Sequence, residues 1–132
     1  MKKITGQFDV ELSPLDSYAA GQHDINLARM SIDKKFHGEL DALSKGEMLS
    51  ARTAVQGSAG YVAIEQVEGT LSGRHGSFVL QHFGVLDRGK DRLILEVIPD
   101  SGTGELSGLI GIMSIIIEDG KHYYEFEFDF EA

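Results

Sequence analysis

The 132-residue chain has no cysteine, only two prolines and no long apolar run. Without cysteine it forms no disulfide and no thiolate metal site, and it lacks the thiol nucleophile of many hydrolases. The chain is nevertheless long enough to bury a real core, because a protein of about 150 residues hides roughly two-thirds of its unfolded surface. Residues 1–132 are therefore predicted to form a single domain.

Membranes and nucleic acids are poor candidate partners. Lys2 and Lys3 are followed by polar residues where a signal peptide needs an apolar stretch, and the apolar run over residues 109–117 is about half a membrane-spanning helix. The formal net charge is −9, and the lysines and arginines are scattered rather than clustered. These features predict a soluble, cytoplasmic protein that binds neither membrane nor nucleic acid.

Abundant glycine and short β-rich runs predict an all-β fold built from antiparallel strands. The first run alternates cleanly and is expected to stop at Ser13-Pro14, because proline cannot donate to a sheet. A second strand is predicted over residues 23–36, with a bulge near Arg29 and Met30. A third is predicted over residues 39–55, with an interruption near Lys45 and Gly46. The residues on one face of the first run are Ile4, Gly6, Phe8, Val10 and Leu12.

The turn between the last two strands predicts which of their residues pair. Asp119-Gly120 between apolar runs indicates a two-residue hairpin turn, because both central residues need a positive φ. The register then makes one apolar, inward face from the pairs Ile117–His122, Ile115–Tyr124, Met113–Phe126 and Gly111–Phe128. It also leaves Ile110, Ile112 and Ile116 on the outer face, and Ile94 and Ile98 join them if the preceding strand turns Leu93, Leu95 and Val97 inward. We expect this patch to form a subunit contact, most simply in a homodimer.

A glycine-rich segment precedes the apolar strand that begins near Ser77. Gly69, Gly73 and Gly76 lie four and three residues apart, and glycine is needed where a strand bends sharply or another backbone comes close. The segment resembles one in the plant allene oxide cyclases and the dirigent proteins, which are eight-stranded antiparallel barrels.

Four motifs extend the resemblance over nearly the whole chain. They are Gly-Glu-Met-Leu at 46–49, Gly-Ser-Ala-Gly-Tyr-Val-Ala-Ile-Glu at 57–65, Gly-Arg-His-Gly-Ser-Phe-Val-Leu-Gln-His at 73–82 and Pro-Asp-Ser-Gly-Thr-Gly-Glu-Leu at 99–106. In this order they resemble a bacterial family of small domains of unknown function with an allene oxide cyclase-like barrel. The resemblance implies a closed antiparallel β-barrel of about eight strands, of calycin-like architecture, and suggests a cavity for an apolar ligand. It implies no activity, because no catalytic residue of the cyclases matches a position here.

Five side chains are candidate polar contacts for such a ligand. Glu65 shares a strand face with Tyr61, and a carboxylate inside a barrel can act as a general base or hold a polar group, although an outward, solvated glutamate is the simpler alternative. Gln81 and His82 are adjacent, so one of them must point inward, where a ligand or a structural hydrogen bond can satisfy it. Tyr124 falls on the inward face of the last hairpin.

Metal and cofactor chemistry is not indicated. The five histidines form no His-x-His pair and no helical zinc motif, although distant strands could still assemble a site. Asp100-Ser101-Gly102 resembles the turn of aspartic peptidases, but these enzymes need two such aspartates, so a strand connection is the better interpretation. No phosphate-binding strand–turn–helix unit surrounds the glycines. No cofactor is predicted.

Three functions remain open. The leading hypothesis is a barrel that binds a small apolar molecule through Tyr61, Glu65, Gln81, His82 and Tyr124. The second is an isomerase- or cyclase-like enzyme in which Glu65 or His82 moves a proton. The third is a structural or interaction module whose barrel is filled by side chains.

Overall fold

Eight antiparallel strands form a closed barrel in the computed structural model, which describes residues 1–131. Each strand pairs with its neighbour in the chain, and β8 returns to pair with β1. The predicted fold class is confirmed. The strands are β1 (Lys2–Leu15), β2 (Asn26–Phe36), β3 (Leu40–Arg52), β4 (Ala59–Leu71), β5 (Arg74–Asp87), β6 (Lys90–Val97), β7 (Leu109–Glu118) and β8 (Lys121–Phe130).

Apolar side chains at alternate positions of the strands fill the interior, as the two-residue period of a strand requires. Phe36, Phe78 and Phe126 are fully buried, and the rings of Phe78 and Phe126 stack with centroids 5.8 Å apart. The register of the β7–β8 hairpin is the one that its Asp119-Gly120 turn predicts. Over residues 1–131, no helix has the length and apolar character to span a bilayer.

One end of the barrel is closed by the connection between β6 and β7. Its short 3₁₀ turn, Gly104–Leu106, inserts Leu106 into the core. The hydroxyls of Ser101 and Thr103 accept hydrogen bonds from the Val79 and Ser77 amides of β5, at 3.1 and 3.0 Å. The segment that resembles a peptidase turn thus forms a strand connection that closes the barrel.

Gly76 explains part of the glycine spacing. A Cβ at this position would lie 2.1 Å from the carbonyl oxygen of Thr103, so only glycine lets the closing segment approach β5. The glycine-rich segment therefore marks a close backbone approach, as the sequence indicated.

Three strand predictions were wrong. β1 continues through Pro14 to Leu15, because β8 pairs with β1 only over Lys2–Phe8 and the later part of β1 has a neighbour on one side alone. β2 and β3 pair without a break from Asn26↔Arg52 to Phe36↔Ala42, so neither contains the predicted bulge or interruption. β2 and β3 are therefore regular strands, and each carries a polar side chain on its inward face.

Candidate functional site

Four polar side chains meet inside the barrel, one from each of four adjacent strands. Glu65 of β4 is completely buried, and Lys34 of β2, Ser44 of β3 and His82 of β5 expose at most 6% of their surface. Glu65 Oε2 accepts hydrogen bonds from Lys34 Nζ at 2.7 Å and His82 Nε2 at 2.5 Å, and Oε1 accepts one from Ser44 Oγ at 2.6 Å. A single carboxylate thus organises the buried polar cluster.

Strand register and one glycine bring these groups together. Lys34 is paired with Ser44, and Gly46 is paired with Glu65. A Cβ on Gly46 would lie 2.1 Å from the carbonyl oxygen of Ile64 and 2.6 Å from Cα of Glu65, so β3 approaches β4 this closely only because residue 46 is glycine. The ammonium group of Lys34 lies 5.0 Å from the ring centroid of Phe8, whose face favours a cation.

The charges of the cluster hold Glu65 ionised. Burial raises the pKa of Glu65, but the hydrogen bond from His82 and the charge of Lys34 outweigh it and hold the pKa at about 2. The ionised carboxylate accepts from Nε2 of His82, so this nitrogen carries a proton.

Tyr61 links this cluster to solvent. Its hydroxyl lies 3.4 Å from Nδ1 of His82, and the two rings meet edge to face. An imidazole tautomer that donates from Nε2 accepts at Nδ1, and in that tautomer the hydroxyl of Tyr61 is the donor. Burial, with the charge of Glu65 adding to it, raises the pKa of Tyr61 to about 12, which keeps the hydroxyl protonated.

Above Tyr61 the barrel opens into a pocket of about 500 Å³. It lies at the end opposite the closing segment, where inward-facing residues become half-buried or exposed instead of buried. Gly84 leaves space there for the ring of Tyr61, because a Cβ at that position would lie 2.3 Å from Cε1 of the ring. The inward-facing side chains that shape the pocket include Leu12, Met30, Met48, Tyr61 and Leu93.

The structure brings together three of the five predicted residues. Tyr61, Glu65 and His82 form one hydrogen-bonded chain, but only Tyr61 lines the pocket. Of the adjacent pair, His82 points inward, as one member had to, and Gln81 lies on the outer face between Ile64 and Glu96 of the neighbouring strands. Gln81 therefore cannot contact a ligand inside the barrel.

Tyr124 is inside the barrel but belongs to its other end. Its hydroxyl donates to the carbonyl of His37 at 2.8 Å and accepts from the amide of Leu40 at 3.3 Å. These bonds tie β8 to the turn between β2 and β3. Tyr124 thus has a structural role and lies away from the pocket.

Two members of the cluster, Lys34 and Ser44, were not predicted. Lys34 alternates with Ile32 and Phe36, and Ser44 alternates with Leu40 and Ala42, so each lies on the buried face of its strand. This alternation was the available signal.

No metal site accompanies the cluster in the part of the chain that the structure describes: no three His, Cys, Asp or Glu side chains among residues 1–131 are placed to hold an ion. Glu65 is already saturated by three donors. The arrangement can position and polarise the hydroxyl of Tyr61 at the floor of an apolar pocket.

Comparison with known proteins places the chain in a family. The model of the family described as "Protein of unknown function (DUF3224)" matches residues 4–128, so the chain belongs to this family. A crystal structure of a protein with unknown function from the same family, from Shewanella oneidensis MR-1, is 64% identical, with a TM-score of 0.98 over 100% of this chain and 98% of that one. No curated protein matches the chain.

Proposed function

We propose that the protein binds a small, largely apolar molecule in the open mouth of the barrel. The supporting observation is the pocket of about 500 Å³, whose walls are mostly apolar, whose lining also includes Arg52, Asp91 and Arg92, and which Tyr61 joins to the buried cluster. Pockets of this size, with few polar groups among apolar walls, are typical of small-molecule sites.

The hydrogen-bonding state of Tyr61 defines the polar group that the ligand carries. In the tautomer that donates from Nε2 to Glu65, His82 accepts a hydrogen bond from the hydroxyl of Tyr61, whose oxygen then offers lone pairs to the pocket. The matching ligand has an apolar body and one hydroxyl or N–H donor. Glu65 acts at a distance, because it accepts from Nε2 of His82 and so leaves Nδ1 as the ring nitrogen that faces Tyr61.

An isomerase-like enzyme is the second candidate. The chain from Tyr61 through His82 to Glu65 connects the pocket to a buried carboxylate, and such a chain can relay a proton. Tyr61 would exchange the proton with the substrate, since neither Glu65 nor His82 reaches the pocket. The resemblance to allene oxide cyclase-like barrels stays a prediction and carries no activity.

Native mass spectrometry of the purified protein, followed by titration with apolar alcohols and with the corresponding ethers, tests the binding proposal. We expect the alcohols to bind more tightly than the ethers, and Tyr61→Phe to remove this preference. Tyr18→Phe is the matched control, because Tyr18 is fully exposed. Met48→Trp fills the pocket and should abolish binding, whereas Leu43→Trp adds the same side chain to the outer face of the same strand.

Equal binding by the Met48→Trp and Leu43→Trp proteins would contradict the proposal. Turnover of a bound compound that is lost in Tyr61→Phe while binding persists would favour the enzyme. Cytoplasmic location also stays a prediction, which cell fractionation tests.

A further inference from the structure

A continuous apolar row crosses the outside of the barrel. Leu49, Val62, Phe83 and Ile94 are direct neighbours on β3, β4, β5 and β6, since Leu49 pairs with Val62, Val62 with Phe83, and Phe83 with Ile94. Each of these four side chains is 42–55% exposed. Such a row on the solvent face of a sheet indicates an interaction surface.

Two further rows flank the apolar row, and their residues differ in a regular way. The row toward the closed end contains Ile64, Gln81 and Glu96, which are cross-strand neighbours. The row toward the mouth contains Gly60, Val85 and Arg92, which are also cross-strand neighbours. The row toward the closed end thus carries Ile64 and Glu96, and it continues on β3 to Glu47, which is paired with Arg29 of its own chain. The row toward the mouth carries Gly60 and Arg92.

We propose that this face forms a homodimer with a second copy of the chain, around a two-fold axis that runs along the apolar row. A rotation of 180° about that axis places each residue of the row against its own counterpart. It also places the row toward the closed end against the partner's row toward the mouth. The same face of each copy is then covered by the other copy, in one interface that leaves no equivalent surface free for a third copy.

Charge complementarity supports a second copy as the occupant. Arg92 and Glu96 lie two residues on either side of Ile94, on the outer face of β6. The rotation brings Arg92 of each copy against Glu96 of the other, which forms two ion pairs. Neither side chain has an ion-pair partner within residues 1–131, and the guanidinium of Arg92 is held over the ring of Phe83 at 5.5 Å.

Shape agrees with the same symmetry. Ile64 of one copy faces Gly60 of the other, where a Cβ would meet only the carbonyl oxygen of Gly84, at 3.6 Å. The partner's surface is therefore open where Ile64 projects. Elsewhere on a chain of net charge −9, the approach of a second copy meets repulsion between like charges.

The available area is also sufficient. Four side chains of the apolar row, together with Ile64 and Ile112, expose on the order of 500 Å² of apolar surface, and the polar rim brings this close to the roughly 800 Å² per partner of a standard interface. Of the five isoleucines expected in a subunit contact, Ile94, Ile112 and Ile116 are exposed, whereas Ile98 and Ile110 are half-buried.

Charge reversal tests the two-fold arrangement in sedimentation velocity experiments. We expect the unmodified protein to sediment at twice its 14.4 kDa chain mass. Arg92→Glu and Glu96→Arg should each weaken self-association at least about tenfold, because each places like charges in contact. An equimolar mixture of the two variants should regain the dimer, since every reversed residue then faces an opposite charge. Lys121→Glu, at the β7–β8 turn, controls for net charge.

Circular dichroism establishes that each variant is folded before its mass is compared. A monomeric unmodified protein at micromolar concentration would overturn the proposal. Dimers that persist in both single variants would also overturn it, because they would show that another surface associates. Failure of the mixed variants to re-form a dimer would contradict the two-fold axis along the apolar row.

Discussion

Nζ of Lys34 lies 2.7 Å from Oε2 of Glu65, in a hydrogen bond between two buried side chains that are 31 residues apart in the chain. Two opposite charges in one low-dielectric site stabilise each other, whereas either alone would be expensive to bury. Together with the hydrogen bond from His82, the charge of Lys34 keeps Glu65 ionised, and the ionised carboxylate accepts from Nε2 of His82.

Removing one member of the pair should cost far more stability than removing a surface charge. We expect Lys34→Met to lower the free energy of unfolding by about 3 kcal/mol, because Glu65 loses its buried cation. Lys45→Met is the matched control and should cost less than about 0.5 kcal/mol, since Lys45 and Asp33 form an exposed pair. Urea denaturation at neutral pH measures both changes.

Coupling between Lys34 and Glu65 can be measured separately. The double variant Lys34→Met and Glu65→Gln should lose less stability than the sum of its single variants, because each single variant leaves a lone buried charge and the double variant leaves none. Additive losses would contradict the assignment of the two residues as a buried ion pair.

Stability should fall in acid as Glu65 is protonated. The folded-state pKa of Glu65 is about 2, below the ordinary value of 4.5. Its contribution is therefore present above the unfolded-state pKa and is lost as the pH falls from about 4.5 toward 2. The loss is on the order of 3 kcal/mol. Over this range the free energy of unfolding should change less with pH in Glu65→Gln than in Glu68→Gln. The second variant is the control, because it removes an exposed carboxylate from the same strand.

Tyr61 should lose its proton only in strong alkali. Burial and the charge of Glu65 hold its pKa at about 12, so a tyrosine signal should titrate near that pH in ¹³C NMR. Tyr61→Phe should remove this step, and Tyr18→Phe should leave it. Glu65→Gln should lower the midpoint, because the negative charge beneath His82 is gone. An unchanged midpoint in that variant would contradict coupling between Glu65 and Tyr61.

Gly46 should be intolerant of even one methyl group. Gly46→Ala would drive a Cβ into the backbone of Ile64 and Glu65, so we expect a loss of at least about 2 kcal/mol and a displaced carboxylate. Gly73→Ala is the comparison, because a Cβ there meets nothing within 4 Å. This variant should lose only about 1 kcal/mol of stability, because alanine is strained at the left-handed φ of +85°. Thermal unfolding of the two variants separates a steric clash from backbone strain.

Much of the fold could be predicted because its information is local. The Asp119-Gly120 turn sets the register of its own hairpin, and alternation in β1 assigns Ile4 and Phe8 to the core. The site was harder. The alternation within their strands indicated Glu65 and His82 as candidate inward-facing residues. It also left Gln81 as a candidate ligand contact, which the outward orientation of Gln81 forbids. Pro14 was expected to end β1, because the sequence does not show which edge of a strand has a neighbour.

By itself, the sequence determined the all-β class, the inward faces of several strands and the outward direction of Ile94 and Ile112, since each depends on a two-residue period within a short segment. Only the tertiary structure decided that Lys34, Ser44, Glu65 and His82 meet. Their contacts depend on the register of four strands in a closed barrel, and a shift of one residue in any strand would turn its side chain to the other face. Closure at one end likewise decided that Tyr61 lies at the floor of an open pocket.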